Sequence, residues 1–108
     1  MASVSRRAKI EALLVDSPED TFLRYGLALE LDKVGEHDAS LQELERLMGG
    51  TPAYVPAFFM AGQQLARLER VEEARTVLRD GIEQARTQGN AHAAGEMSEF
   101  LASVGRLG

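Results

Sequence analysis

Residues 58–81 read FFMAGQQLARLERVEEARTVLRDG. Apolar side chains recur at Phe58, Ala61, Leu65 and Leu68, three and four residues apart, which is the spacing of one face of an α-helix. The pattern restarts after a polar break and runs through Val71, Ala74, Leu78, Ile82 and Ala85. Two stripes with so short a connection predict two antiparallel helices. Small residues interrupt the bulk at Ala61, Gly62 and Ala74. Where two helices of a hairpin cross closely, only Gly, Ala or Ser lets the backbones approach. This alternation of bulk and gap specifies a helical hairpin that interlocks and then offers a face to a neighbour.

Working outward, the same signals recur. In DSPEDTFLRYGLALELDKVG (16–35), Ser17 is the expected N-cap, with Pro18 at the first helical position and Asp20 reaching back as in a capping box. Phe22, Tyr25 and Leu29, and one residue off Leu27 and Leu31, recur at helical spacing, and Gly35 marks the stop. HDASLQELERLM (37–48) carries Leu41, Leu44, Leu47 and Met48, and Gly49 and Gly50 end it before Thr51 and Pro52. RRAKIEALLV (6–15) reads as a short leading helix with Ile10, Leu13 and Leu14. Asn90 is placed to cap a last helix in AHAAGEMSEFLASVG (91–105), with Ala94, Met97, Leu101 and Val104 apolar and Gly105 at its end. The expectation is an all-α protein of about six helices with no strand. It reads as a single domain over 1–108: a leading helix at 4–15, helix pairs at 18–52 and 53–88, and a capping helix at 90–105.

Composition narrows the function classes. Of the 108 residues, 44% are apolar and 27% charged, ordinary values for a soluble globular chain. A chain of this size buries roughly 60–65% of its unfolded surface, enough for one core. Twelve basic against seventeen acidic residues give a net charge of −5. Phosphate-binding surfaces carry the opposite sign, so neither nucleic acid nor an anionic membrane is an expected partner. Zero cysteines exclude disulfides, thiolate metal sites and cysteine nucleophiles, and fit a cytoplasmic location. The N-terminal stretch has no apolar core of signal-peptide type, because Glu11 interrupts it, and no run approaches the roughly 20 apolar residues of a membrane span.

An internal repeat then emerges. Leu27 and Ala61, Ala28 and Gly62, Leu31 and Leu65, Ser40 and Ala74, Leu44 and Leu78, and Leu47 and Gly81 are each 34 residues apart. The offset holds across two helices and the turn between them. This arrangement resembles the tetratricopeptide repeat, a 34-residue unit with an aromatic, Leu-Gly, a large residue, and later Ala, a large residue, Ala and Pro. The second unit carries the pattern as Phe58, Ala61-Gly62, Leu65, Ala74, Leu78 and Gly81. The first carries it more loosely as Leu27-Ala28, Leu31, Ser40, Leu44, Leu47 and Pro52. The resemblance covers about residues 21–88. It implies helix pairs stacked as a short right-handed solenoid, with a concave groove that binds extended peptides or helices of partner proteins.

Three positions depart from the family pattern. Arg24 stands where an aromatic is usual, so the first unit either packs differently or uses Phe22. Arg86 replaces the usual proline, which lets the second helix of that pair run on toward Gln88. Glu69 holds the place of the turn glycine that Gly35 fills; a positive φ there costs about 1 kcal/mol.

The resemblance also implies which residues line the groove: Tyr25, Leu29 and Lys33, then Phe59, Met60, Gln63 and Arg67, with Asn90, Ala94 and Met97 from the last helix. Tyr25, Phe59 and Met97 are the expected apolar contacts, and Lys33, Gln63 and Arg67 the orienting ones. An apolar wall with a cationic rim suits a peptide with a bulky side chain and a carboxylate. The competing reading makes Phe59 and Met60 plain core beneath the last helix. Co-chaperone members of the family hold a chaperone's C-terminal carboxylate with Lys and Asn. The matching positions here are Tyr25, Leu29, Met60, Asn90 and Ala94, of which only Asn90 is polar, so that clamp is not expected. His37 and His92 read as surface histidines, and no Ser, Lys or Asp sits in a nucleophile or phosphate-loop context. The reading is a non-catalytic interaction module with no cofactor and no metal. The alternative is a self-associating homodimer that buries the groove or Ala91, Ala94, Met97 and Phe100 of the last helix.

Overall fold

The computed structural model describes residues 5–105 of the chain. Its helices are α1 (Arg6–Asp16), α2 (Thr21–Lys33), α3 (His37–Met48), α4 (Val55–Arg67), α5 (Val71–Thr87) and α6 (Ala91–Ser103), with no strand among the described residues. Val4, the expected start of the leading helix, lies outside the described residues. The chain divides into two compact units, Met1–Leu47 and Met48–Gly108.

Side-chain caps set three of the helix starts. Ser5 Oγ accepts from Ala8 N at 3.0 Å, Asp20 Oδ1 from Leu23 N at 2.9 Å, and Asn90 Oδ1 from Ala93 N at 3.0 Å. The start of α2 corrects the sequence reading. Ser17 closes α1, its N–H donating to Leu13 O, and Asp20 rather than Ser17 caps α2. Asp20 stands directly before the apolar run, and its carboxylate reaches an orphan N–H that Ser17 is too far upstream to serve.

Three helices end in the same closure. Glu36 N donates to Leu31 O at 2.9 Å, Arg70 N to Leu65 O at 2.8 Å, and Asn90 N to Ala85 O at 2.7 Å. Each is the six-to-one bond of a Schellman motif, which needs a left-handed residue one position earlier. Gly35 (φ 83°) and Gly89 (φ 75°) meet that need, and Glu69 meets it at φ 62°. The turn geometry therefore keeps the 34-residue offset where the residue type does not. Without a proline at position 86, α5 continues to Thr87, and Gln88 Nε2 reaches Ala53 O at 2.8 Å.

In the first unit, α1 lays Ile10 and Leu14 on Leu27 and Leu31 of α2, with Leu23 and Ala39 at the margin. The α2–α3 crossing is fully buried at Ala28, Ser40 and Leu44. Ser40 is small enough for the close approach, and its Oγ also donates to Ala28 O at 2.6 Å. That bond satisfies a hydroxyl that burial would otherwise penalise by about 1–3 kcal/mol. Phe22 does not stand in for the missing aromatic, since it is 74% exposed. Arg24 instead reaches across to Glu43 at 2.7 Å and donates through Nε to Pro18 O at 2.9 Å.

In the second unit the crossings are tighter. A Cβ built on Gly62 would lie 2.6 Å from Leu78 Cδ2 and 2.7 Å from its Cγ. One on Gly81 would lie 2.5 Å from Phe58 Cβ and 2.7 Å from Met97 Sδ. Gly62 thus locks α4 to α5, and Gly81 lets both Phe58 and Met97 close on α5. Arg75 Nη2 donates to Val104 O at 2.9 Å and ties the end of α6 to α5.

Two outcomes test these packing rules. Gly62→Ala is expected to cost about 1–3 kcal/mol by overpacking against Leu78. In a Leu78→Ala background the same change should become neutral or stabilising by about 1 kcal/mol, as helix propensity then dominates. Urea denaturation of the four variants measures the coupling; equal effects in both backgrounds would refute the crossing. Glu69→Gly is expected to raise stability by about 1 kcal/mol, and the melting temperature by about 4–8 °C, by relieving the left-handed residue.

Candidate functional site

Each unit has one helix with a second face, opposite its core. On α2 the core side is Leu27, Ala28 and Leu31. Phe22, Tyr25, Leu29 and Lys33 follow one another three and four residues apart on the far side. On α4 the core side is Phe58, Ala61, Gly62 and Leu65, and Phe59, Gln63 and Arg67 take the equivalent far positions with Met60 beside them. The same helical phase produces both faces, because the 34-residue offset carries core and non-core positions alike.

The first unit's face is apolar and open at one end. Tyr25 and Leu29 are half-buried, while Phe22 is 74% exposed. Lys33 is exposed, but it is not a free cation. Its Nζ lies 3.4 Å from Glu30 Oε2, which also receives Arg6 Nε at 3.6 Å. At Lys33 the cationic rim expected from the sequence thus includes a carboxylate, which Lys33 shares with Arg6.

In the second unit Phe59, Met60 and Gln63 are half-buried and Arg67 is exposed. Phe59 packs on Phe100 of α6, with ring centroids 5.8 Å apart and planes tilted by 60°. It is thus neither a fully open wall residue nor plain core. Of the three residues assigned to the last helix's share of the groove, two are buried. Met97 is fully buried (0% exposed) against Gly81, and Ala94 is buried beside it, because this side of α6 faces α5. Met97 is a core residue, not a contact for a partner, and the dimer surface suggested for α6 loses the same two side chains. Asn90 is exposed, and its Oδ1 caps α6.

Other features offer less. A cleft of about 280 Å³ in the first unit has Leu27, Leu31 and Ala39 at its floor, and Arg7, Glu11, Gln42 and Glu43 on its walls. Its charges pair with their own neighbours: Arg7 with Glu11 and Glu36, and Glu43 with Arg24. His37 Nδ1 lies 2.9 Å from Asp32 Oδ1, across the α2–α3 turn rather than beside its neighbour Asp38. Among the described residues there is no cluster of three or more His, Cys, Asp or Glu able to hold a metal ion, and no helix is long and apolar enough to cross a membrane.

The sequence places Phe22 in one stripe with Tyr25 and Leu29, but the groove register implied by the resemblance begins at Tyr25 and leaves Phe22 out. Phe100 comes from a helix outside the 34-residue offset, so no register argument could align it with Phe59.

This geometry has a close parallel. The solution NMR structure of a tetratricopeptide repeat domain protein from Salinibacter ruber superposes with a TM-score of 0.78, covering 84% of this chain and 92% of that one at 32% sequence identity. The chain belongs to the tetratricopeptide repeat family. No protein-family model and no curated protein sequence matches it. The fold is one that generally mediates protein–protein interaction and is non-catalytic as a class.

The ring contact is open to measurement. A double-mutant cycle on Phe59→Leu and Phe100→Leu should return a coupling of about 0.5–1.5 kcal/mol beyond the two single losses. A coupling near zero would detach Phe59 from α6.

Proposed function

We propose that this chain is an interaction module for a peptide or helix of a partner protein, with one contact face on α2 of the first unit and another on α4 of the second. Tyr25 and Leu29 with Lys33, and Phe59 and Met60 with Gln63 and Arg67, are the proposed contacts, and Phe22 joins them. One observation carries this reading: the α2 face keeps Phe22 74% exposed in line with the half-buried Tyr25 and Leu29. Fully burying a side chain of this size is worth about 1.5–3 kcal/mol. A row of such side chains on the side away from the core favours a covering partner. The helix-in-groove and extended-peptide modes both use anchors spaced in this way. Nothing in the residue pattern favours catalysis.

Homodimerisation is the second reading, favoured by the exposure of Leu13 (56%), Val15 (80%) and Val34 (64%) in the same unit as Phe22. Sedimentation velocity across a range of concentrations separates the two, since only self-association makes the apparent mass of the pure protein rise with concentration.

The proposal is tested by affinity capture from lysate of the native host with three immobilised proteins: wild type, Phe22→Ser/Gln63→Lys, and Glu72→Lys, which alters an exposed position of α5. Circular dichroism checks that each is folded. A protein retained by wild type and Glu72→Lys but lost from the first variant is the expected result. Identical captures by all three would exclude these faces.

A further inference from the structure

The reading of α4 as a binding face extends to the charge of what binds there, and the extension rests on that reading. The contact between Phe59 and Phe100 fixes which side of α6 borders the α4 face. Glu96 lies four residues before Phe100, and Glu99 three residues after Glu96, so these side chains share that region of α6. The other side of the helix is occupied by the buried Ala94 and Met97. An apolar strip of Phe59, Phe100 and Met60, all half-buried, is thus bordered by two exposed carboxylates.

Among the described residues, the charge of this border is not balanced from within. Among the described residues, Glu99 has no ion-pair partner. Glu96 faces His92 Nε2 at 3.5 Å, and that imidazole carries charge only when protonated. Arg67, the cation on the same face of α4, is already engaged within the chain.

We infer that the partner segment seated on α4 and α6 presents a lysine or arginine beside a large apolar side chain. The apolar group covers the Phe59–Phe100 pair, and the cation meets Glu96 and Glu99. This is opposite in sign to the carboxylate-bearing peptide that Lys33 and Arg67 suggest in the sequence. A net charge of −5 disfavours an anionic partner in the same direction. Contacts of this kind at a rim set partner choice and association rate, so the affinity falls as salt is added.

Panning a phage-displayed random peptide library on the full chain tests the inference. Enriched peptides would be synthesised, mapped by amide chemical shifts, and titrated against wild type and variants. The expected outcome is enrichment of Lys or Arg next to Phe, Leu, Ile or Met, with shifts at Phe59, Met60, Glu96, Glu99 and Phe100. Glu96→Lys/Glu99→Lys should weaken such peptides roughly tenfold. The uncharged pair Glu96→Gln/Glu99→Gln should fall between, which guards against a folding artefact in the reversed variant. Enrichment of Asp- or Glu-bearing peptides that shift the same amides would overturn the charge assignment and leave the binding face standing. Peptides that shift amides only elsewhere, or no enrichment at all, would overturn the face and the charge assignment together.

Discussion

The approach of α4 to α5 at Gly62 is the constraint on which the second unit depends. Leu78 fills the space where a β-carbon would stand, and the same side chain is fully buried. Once that crossing is fixed, the phase of both helices is fixed with it. Phe58 must then face Gly81, and Phe59 must turn away toward Phe100. The first unit solves the same problem with slightly more bulk at the crossing, Ala28 and Ser40 around Leu44, and adds a hydrogen bond from Ser40. A site on the far face of either helix is positioned by the crossing on its near face.

The two units also distribute volume differently at matching positions. The second places a ring at 58 and no side chain at 81; the first places Arg24 and Leu47 there. Cores tolerate such exchanges when total volume is kept. Arg24 sends its charge toward Glu43, so the position remains filled by a long side chain whose head is half-buried and paired. This explains why the first unit reads as a looser match and folds into the same hairpin.

The helices and their pairing were legible because they rest on periodic, local signals. Leu27, Leu31, Leu65 and Leu78 mark core faces, and the cap at Asn90 and the stop at Gly35 need only neighbours in sequence. The α2 start was misread because Ser17 and Asp20 are both good caps, and the Ser-Pro pair drew the start three residues upstream of the residue that caps it. The site was less legible. Register identified the far faces, but whether a side chain there is free depends on non-periodic partners: Glu30 and Arg6 around Lys33, Phe100 on Phe59, and α5 over Met97. Arg6, Phe100 and α5 come from other helices, where a repeat offset carries no information, and Glu30 is a same-helix neighbour three residues before Lys33.

The exchange of a ring for an ion pair has a thermodynamic consequence. Hydration of charged groups becomes less favourable on heating, so the penalty for burying Arg24 and Glu43 shrinks as temperature rises. Unfolding the second unit exposes the Phe58 ring to water, and exposed apolar area raises the heat capacity of the unfolded chain. At equivalent positions the two halves of one repeat protein therefore respond to heating through different terms: the first hairpin through the falling cost of burying its ion pair, the second through the heat capacity of its exposed ring.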